Sequence, residues 1–215
     1  MHAVVRRSGA MLRLAACLCL AGLTACAAPQ VAPSGFLSDY GRLKPDPQQE
    51  GLTWWEAPGV QWKRYTKLII EPVAVRLVAG PDQPALDSAE QAKLAAELRQ
   101  AVVSEVQGRY PGVDAPGQDV LRVRAALTRL KPVEPVANVI STAVLMVPVD
   151  VGEAALEAQF VDSRSGKVLG ELAIASRGST LDLGRVWSRW AQVRAAFADW
   201  ARRFRQALDE PGSAR

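Results

Sequence analysis

Histidine and cysteine are scarce in this 215-residue chain, and where they occur matters more than how many there are. The one histidine is His2, and the three cysteines are Cys17, Cys19 and Cys26. From Ala27 onward the chain therefore has no imidazole and no thiol. That excludes from the main body a Ser-His-Asp triad, a Cys-His pair, a thiolate zinc site, a disulfide framework and a histidine pH switch. The nucleophile elbow Gly-x-Ser-x-Gly, the Walker phosphate loop and the dinucleotide fingerprint are absent as well. Ser165-Gly166-Lys167 has the end of a phosphate loop but not the upstream glycine spacing. A strong charge of one sign is also lacking. The net charge is +4, but Arg6, Arg7 and Arg13 supply three of those charges and residues 1–25 hold no acids, so the rest of the chain carries +1. A nucleic-acid role is left without its electrostatic basis.

What is present at the start is a basic stretch, then the apolar run Leu14–Gly22, then Leu23-Thr24-Ala25-Cys26. The run is too short to span a bilayer as a helix. Basic, apolar and small residues in that order are the parts of a secretory signal. A cysteine directly after the small residues resembles the lipobox of bacterial lipoproteins. That resemblance implies removal of residues 1–25, a thioether-linked diacylglycerol on Cys26 and acylation of its new amino group. A single acyl chain holds a protein marginally and several hold it stably, so the membrane is a partner through the lipid on Cys26. Ala27 and Ala28 follow, without an acid. By analogy with enteric lipoproteins, the protein sits in the outer membrane and faces the periplasm.

Residues 26–35 then read as lipid anchor and tether, small and Pro-containing. Residues 36–210 form one domain, and 211–215 a disordered tail. The segment from Phe36 to Tyr65 is rich in rings and turn formers, with Tyr40, Trp54, Trp55 and Trp62, but has no helical or strand period; it is expected to be irregular and to cover the domain. An aromatic-lined groove is the sharper alternative. Thr66–Val78 reads as a strand bent at Pro72. A helix follows, with capping-box spacing at Asp87 and Glu90 and an apolar stripe of Leu94, Leu98, Val102 and Val106. Asp119–Leu130 alternates as a strand with one buried face and one basic, wet face bearing Arg122 and Arg124. Ala155–Val161 and Val168–Ala175 form a hairpin around Asp162–Gly166. The last helix, Leu183–Leu208, carries Trp190, Val193, Phe197, Trp200, Phe204 and Leu208 on one side and arginines on the other. The expected fold class is α+β: a mainly antiparallel sheet of about four strands, with two amphipathic helices packed on one face.

The segment Ser34-Gly-Phe-Leu-Ser-Asp-Tyr-Gly-Arg-Leu-Lys-Pro45, just after a lipobox, resembles the opening of an uncharacterised bacterial lipoprotein family, domain of unknown function 3313. The strand Tyr65–Val73, the strand Asp119–Thr128, the hairpin Leu156–Leu169 and the closing helix with Trp187 and Phe197-Ala-Asp-Trp-Ala201 extend the resemblance. It implies an envelope lipoprotein with an α+β domain, and it brings no catalytic residues.

No catalytic, metal or cofactor site is expected. Glu71, Glu157, Asp162 and Glu171 are the carboxylates on or beside strands. An acid–base pair among them is weighed, but their alternation with apolar neighbours favours plain strand-face or turn positions. Val139–Val149 is uncharged and contains Pro148. It reads first as a buried connection, and otherwise as an exposed apolar flap. Val139, Ile140, Val144, Leu145 and Met146, with Arg202, Arg203 and Arg205 on the last helix, are the candidate contacts to an envelope protein partner or to the membrane surface. The first expected role is a non-catalytic interaction module. The alternative is a lipid or small-ligand carrier with an aromatic-lined pocket, which requires an apolar cavity of several hundred cubic ångströms.

Overall fold

The computed structural model describes residues 32–79, 83–134, 141, 151–178 and 188–210. Along the chain lie β1 (Lys44–Pro45), β2 (Leu52–Glu56), β3 (Lys67–Ile70), β4 (Ala74–Val75), α1 (Ser88–Val106), β5 (Val120–Lys131), β6 (Glu153–Asp162), β7 (Val168–Arg177) and α2 (Ala191–Asp209). The strands form one seven-stranded sheet in the order β1-β2-β7-β6-β5-β3, with β4 also pairing β5. The α+β class holds, but the sheet is larger than the expected four strands and it is mixed. β3 and β4 run parallel to β5. The chain returns from one to the other through α1, and a crossover of that length is what parallel neighbours need.

Pro72 splits the bent strand anticipated over Thr66–Val78. β3 and β4 share β5 as partner, but the register moves by one residue between Ile70↔Val123 and Ala74↔Ala126. The amide of Glu71 still donates to the Val123 carbonyl at 3.1 Å, so pairing fails only where proline has no N–H. The hairpin forms as its sequence demands. Asp162 Oδ1 accepts from the Ser165 amide and hydroxyl, both at 2.8 Å, and Gly166 supplies a φ of 75°.

Both helices cover one face of the sheet. Leu94, Leu98 and Val106 of α1, and Val193, Phe197 and Trp200 of α2, are buried against Leu121, Val123 and Leu127 of β5, Leu156 and Phe160 of β6, and Ile174 of β7. Asp87 caps α1 by accepting from the Glu90 amide at 2.8 Å. Glu90 does not complete the box, because its carboxylate accepts from Trp190 Nε1 at 2.7 Å and so ties the start of α1 to the start of α2. The second helix begins at Ala191 rather than Leu183. Ser188–Trp190 form a turn, and residues 183–187, including Trp187, lie outside the described residues.

The aromatic segment is only partly irregular. Leu52-Thr-Trp-Trp-Glu56 pairs with β7 as an antiparallel strand. Two adjacent tryptophans hide its alternation because both faces of β2 are covered. Trp54 joins Trp62 and Phe160 in the core, with ring centroids 6.1 and 5.9 Å away. Trp55, on the other face, lies under the Arg42 guanidinium at 3.5 Å. Tyr65 packs on Trp62, and Phe160 stacks on Phe204 of α2. The rings fill the core instead of lining a groove. The basic, wet face expected on β5 is also only half realised: Arg124 is exposed, but Ala126 and Thr128 on the same face are buried.

Gly51 leads into β2 with a φ of 77°, and a Cβ there would lie 2.5 Å from the Ala175 carbonyl oxygen. Gly51→Ala is expected to destabilise the domain by roughly 2–4 kcal/mol in urea denaturation, combining left-handed strain with a backbone clash.

Candidate functional site

The sheet face turned away from the helices holds the most demanding chemistry in the molecule. Leu156, Ala158 and Phe160 of β6 face the helices, so strand alternation sends Glu157 and Gln159 to the other side. Glu171 of β7 sits opposite Gln159 in the ladder. Glu157 and Glu171 are both 0% exposed. A carboxylate removed from water is tolerated only when its lone pairs are filled.

Residues 34–42 fill them, crossing this face as a strap. Ser34 donates to Glu157 through its amide at 3.1 Å and its hydroxyl at 2.7 Å, and the Tyr40 hydroxyl donates at 2.7 Å. Ser38 donates to Glu171 through amide and hydroxyl at 3.0 and 2.8 Å, Gln159 adds a bond at 2.7 Å, and Arg42 approaches the second oxygen with Nε and Nη2. The Tyr40 oxygen is itself an acceptor. The amides of Ser34, Gly35, Phe36 and Leu37 converge on it at 3.1, 2.9, 3.1 and 3.4 Å. Glu157 polarises the phenol by taking its proton's hydrogen bond, which makes the oxygen a better target for that ring of N–H groups. Asp39 starts the short turn Tyr40–Arg42 by accepting from the Gly41 amide, and Leu37 beside it is buried. Every polar residue of Ser34-Gly-Phe-Leu-Ser-Asp-Tyr-Gly-Arg42 is thus used to place the strap or to satisfy the two glutamates.

Electrostatics follow the donors. Burial alone would raise the Glu171 carboxyl, but the Ser38 amide, Arg42, Gln159 and the Ser38 hydroxyl outweigh it and hold it below the ordinary glutamate range. At the hairpin, burial of Asp162 is likewise outweighed, by Ser165, Tyr65 and Arg64, and its carboxyl falls to about 2. Tyr65, which donates to Asp162 at 2.8 Å, is pushed up to about 12 by burial, by that bond and by the carboxylate's charge. Asp162 borders an open cleft of about 1040 Å³ with Arg64, Arg164 and Lys167. Glu71 pairs with Arg122 at 2.7 Å and Arg124 at 3.3 Å. The four carboxylates singled out in the sequence therefore act as anchors and ion-pair partners. The shifts at Glu171 and Asp162 favour the ionised form, opposite to what a general acid requires.

The other sequence candidates fare differently. Arg202, Arg203 and Arg205 are on α2, but Arg202 and Arg203 pair with Asp199 at 3.1 and 2.6 Å and Arg205 with Asp209 at 2.7 Å. Arg202 and Arg203 share the one carboxylate of Asp199, so ion pairs neutralise this arginine face only in part. Cys26, Val139, Ile140, Val144, Leu145, Met146, the signal and tail segments, and most of Val139–Val149 lie outside the described residues. The strap residues Ser34, Ser38, Tyr40 and Arg42 went unassigned in the sequence. The signal that could have found them is Glu157 itself, a charge inside the small apolar run Ala154-Ala-Leu-Glu-Ala158.

Between helices and sheet lies an apolar cavity of about 150 Å³, bounded by Leu98 and Val102 of α1, Trp200 and Phe204 of α2, and Ala125, Ala158 and Leu172 below. It is smaller than the several hundred cubic ångströms expected of a carrier, and of the segment from Phe36 to Tyr65 only Gln49 and Leu52 reach it.

A family model described as "Protein of unknown function (DUF3313)" matches residues 32–204. No curated protein matches the chain. Among solved structures, the PelC dodecamer from Paraburkholderia phytofirmans is similar at 12% identity and a TM-score of 0.42, over 70% of this chain and 96% of that one. Protein XCC0632 from Xanthomonas campestris is similar at 14% identity and a TM-score of 0.42, over 71% and 90%. The hypothetical protein CT253 from Chlamydia trachomatis is similar at 14% identity and a TM-score of 0.37, over 67% and 98%. Likenesses this distant assign no function.

Tyr40→Phe removes the hydroxyl that donates to Glu157 and the oxygen on which four amides converge. It is expected to destabilise the domain by roughly 2–3 kcal/mol and to speed hydrogen exchange of the Ser34–Phe36 amides. Folding stability should also depend on acid. Because Asp162 and Glu171 titrate lower when folded, their contribution is complete above the unfolded carboxyl range and is lost as pH falls through the folded values. For Asp162 that window runs from the ordinary aspartate value of 3.8 down to about 2, and urea midpoints of Asp162→Asn should be flatter across it than those of the wild type.

Proposed function

Since the chain belongs to the DUF3313 family, whose description names no activity, we propose that it is a lipid-anchored, non-catalytic protein of the bacterial envelope that holds its domain in a fixed pose beside the membrane and engages another envelope component there. The observation that carries this reading is the strap. It begins at Ser34, eight residues after Cys26, and it is fastened to the middle of the sheet through Glu157 and Glu171. A tether of that length reaches no more than about 28 Å when fully extended. Lipid on Cys26 would therefore keep the strap-bearing face near the bilayer instead of letting the domain roam on a long linker. Two or more acyl chains make such attachment stable.

The same strap argues against carboxylate catalysis. Both glutamates are 0% exposed and accept hydrogen bonds from donors inside the domain. An outer-membrane position facing the periplasm is supported by Ala27 and Ala28, which leave no acid directly after Cys26. Among the described residues no helix is long and apolar enough to cross a membrane. Partner contact would fall to the apolar stretch Val139–Val149 or to the α2 face bearing Arg202, Arg203 and Arg205, where two arginines share the acid of Asp199.

The test is Cys26→Ser in living cells. The variant should lose all incorporation of an alkynyl fatty-acid probe and leave the membrane fraction. Retained label, or a wild-type protein intact from Met1 and free in the cytosol, overturns the proposal.

A further inference from the structure

We infer that the cavity between the helix pair and the sheet binds the hydrocarbon end of a medium-chain carboxylate, an amphiphile of the size of octanoate, with its head held by Arg99. This goes beyond the anchoring role and stands without it. Ala125 lies in the middle of the central strand β5 and faces the helices, yet it is only half-buried because the cavity opens above it. Apart from Gln49, Glu71, Arg99 and Arg203 the walls are aliphatic and aromatic, and an apolar cavity of about 150 Å³ takes up a guest the size of benzene. A hydrocarbon chain end is a guest of that chemistry.

The polar part of the lining selects the head. Glu71 is satisfied by Arg122 and Arg124, and Arg203 by Asp199. Arg99 is different. Its Nε donates to the Ile70 carbonyl at 3.1 Å, which fixes the guanidinium against the wall, and it has no acid partner among the described residues. Its remaining donors are left for a carboxylate, the group whose geometry they match. Arg99 also borders an open groove of about 370 Å³ beside Ala92 and Ala96. The head therefore meets both a fixed cation and water, while the tail lies in the apolar cavity.

The experiment uses the purified full-length chain in vesicle-free buffer and an octanoate-length acid bearing a terminal diazirine, followed by peptide mapping after illumination. Label is expected on the cavity-lining peptides of β5, β6 or α2, with octanoate competing about tenfold better than octanol, the margin of one charge-assisted bond. Arg99→Gln should erase that preference. Ala125→Leu fills the cavity, so it should abolish cavity labelling while leaving the unfolding midpoint unchanged or higher. Label spread over the surface, undiminished labelling of Ala125→Leu, or equal competition by octanol and octanoate would each overturn the assignment.

Discussion

A carboxylate without water must find donors, and Glu157 and Glu171 find most of theirs in residues 117 to 133 positions earlier in the chain. That constraint organises the whole back of the sheet. Small residues on β6 and β7 leave room for the strap to approach, and the strap must turn at Tyr40–Arg42 so that Tyr40 and Arg42 reach different glutamates. Glu171 is given a cation and Glu157 only neutral donors among the described residues. Filled in this way, such carboxylates fix a single arrangement, because any slip of the strap leaves a buried charge short of partners.

Arg42 shows how the constraint spreads. Its guanidinium binds Glu171 of β7 edge-on while lying flat over Trp55 of β2. One side chain thus holds the outer strand pair to the centre of the sheet. β2 needs that help, because a five-residue strand of half-buried residues is weakly specified by its own pattern. On the opposite face Trp54 sits against Gly170, where a Cβ would come within 2.8 Å of its ring. The absence of a side chain at Gly170 and the presence of two tryptophans on β2 are parts of one packing solution.

Elements governed by a single local rule were legible in the sequence. Asp87 before an apolar stripe gave the start of α1, the Asp162–Gly166 turn gave the hairpin, and alternation gave β5 and β6. Elements governed by tertiary covering were not. Adjacent Trp54 and Trp55 erased the period of β2, because each face of that strand is buried by a different partner. Parallel pairing of β3 with β5 depends on a crossover that no local pattern encodes. The site was half visible: Glu157 and Glu171 stood out as carboxylates, but their period-two spacing made them look solvated. Only the fold brings Ser34, Ser38, Tyr40 and Arg42 over them.

The strap's hydrogen bonds and its free energy are separate matters. If residues 34–42 peel away, water reaches both glutamates and hydrates them, so the opened state does not carry two desolvated charges. The net value of each bond is then modest. What resists peeling is the apolar part: Leu37 buried at 6% exposure, and the Arg42 stem and guanidinium on Trp55. The polar contacts decide where the strap lies, and the apolar contacts decide how firmly it stays. Residues 34–42 are thus pinned to β6 and β7 at the centre of the sheet and not to its edge.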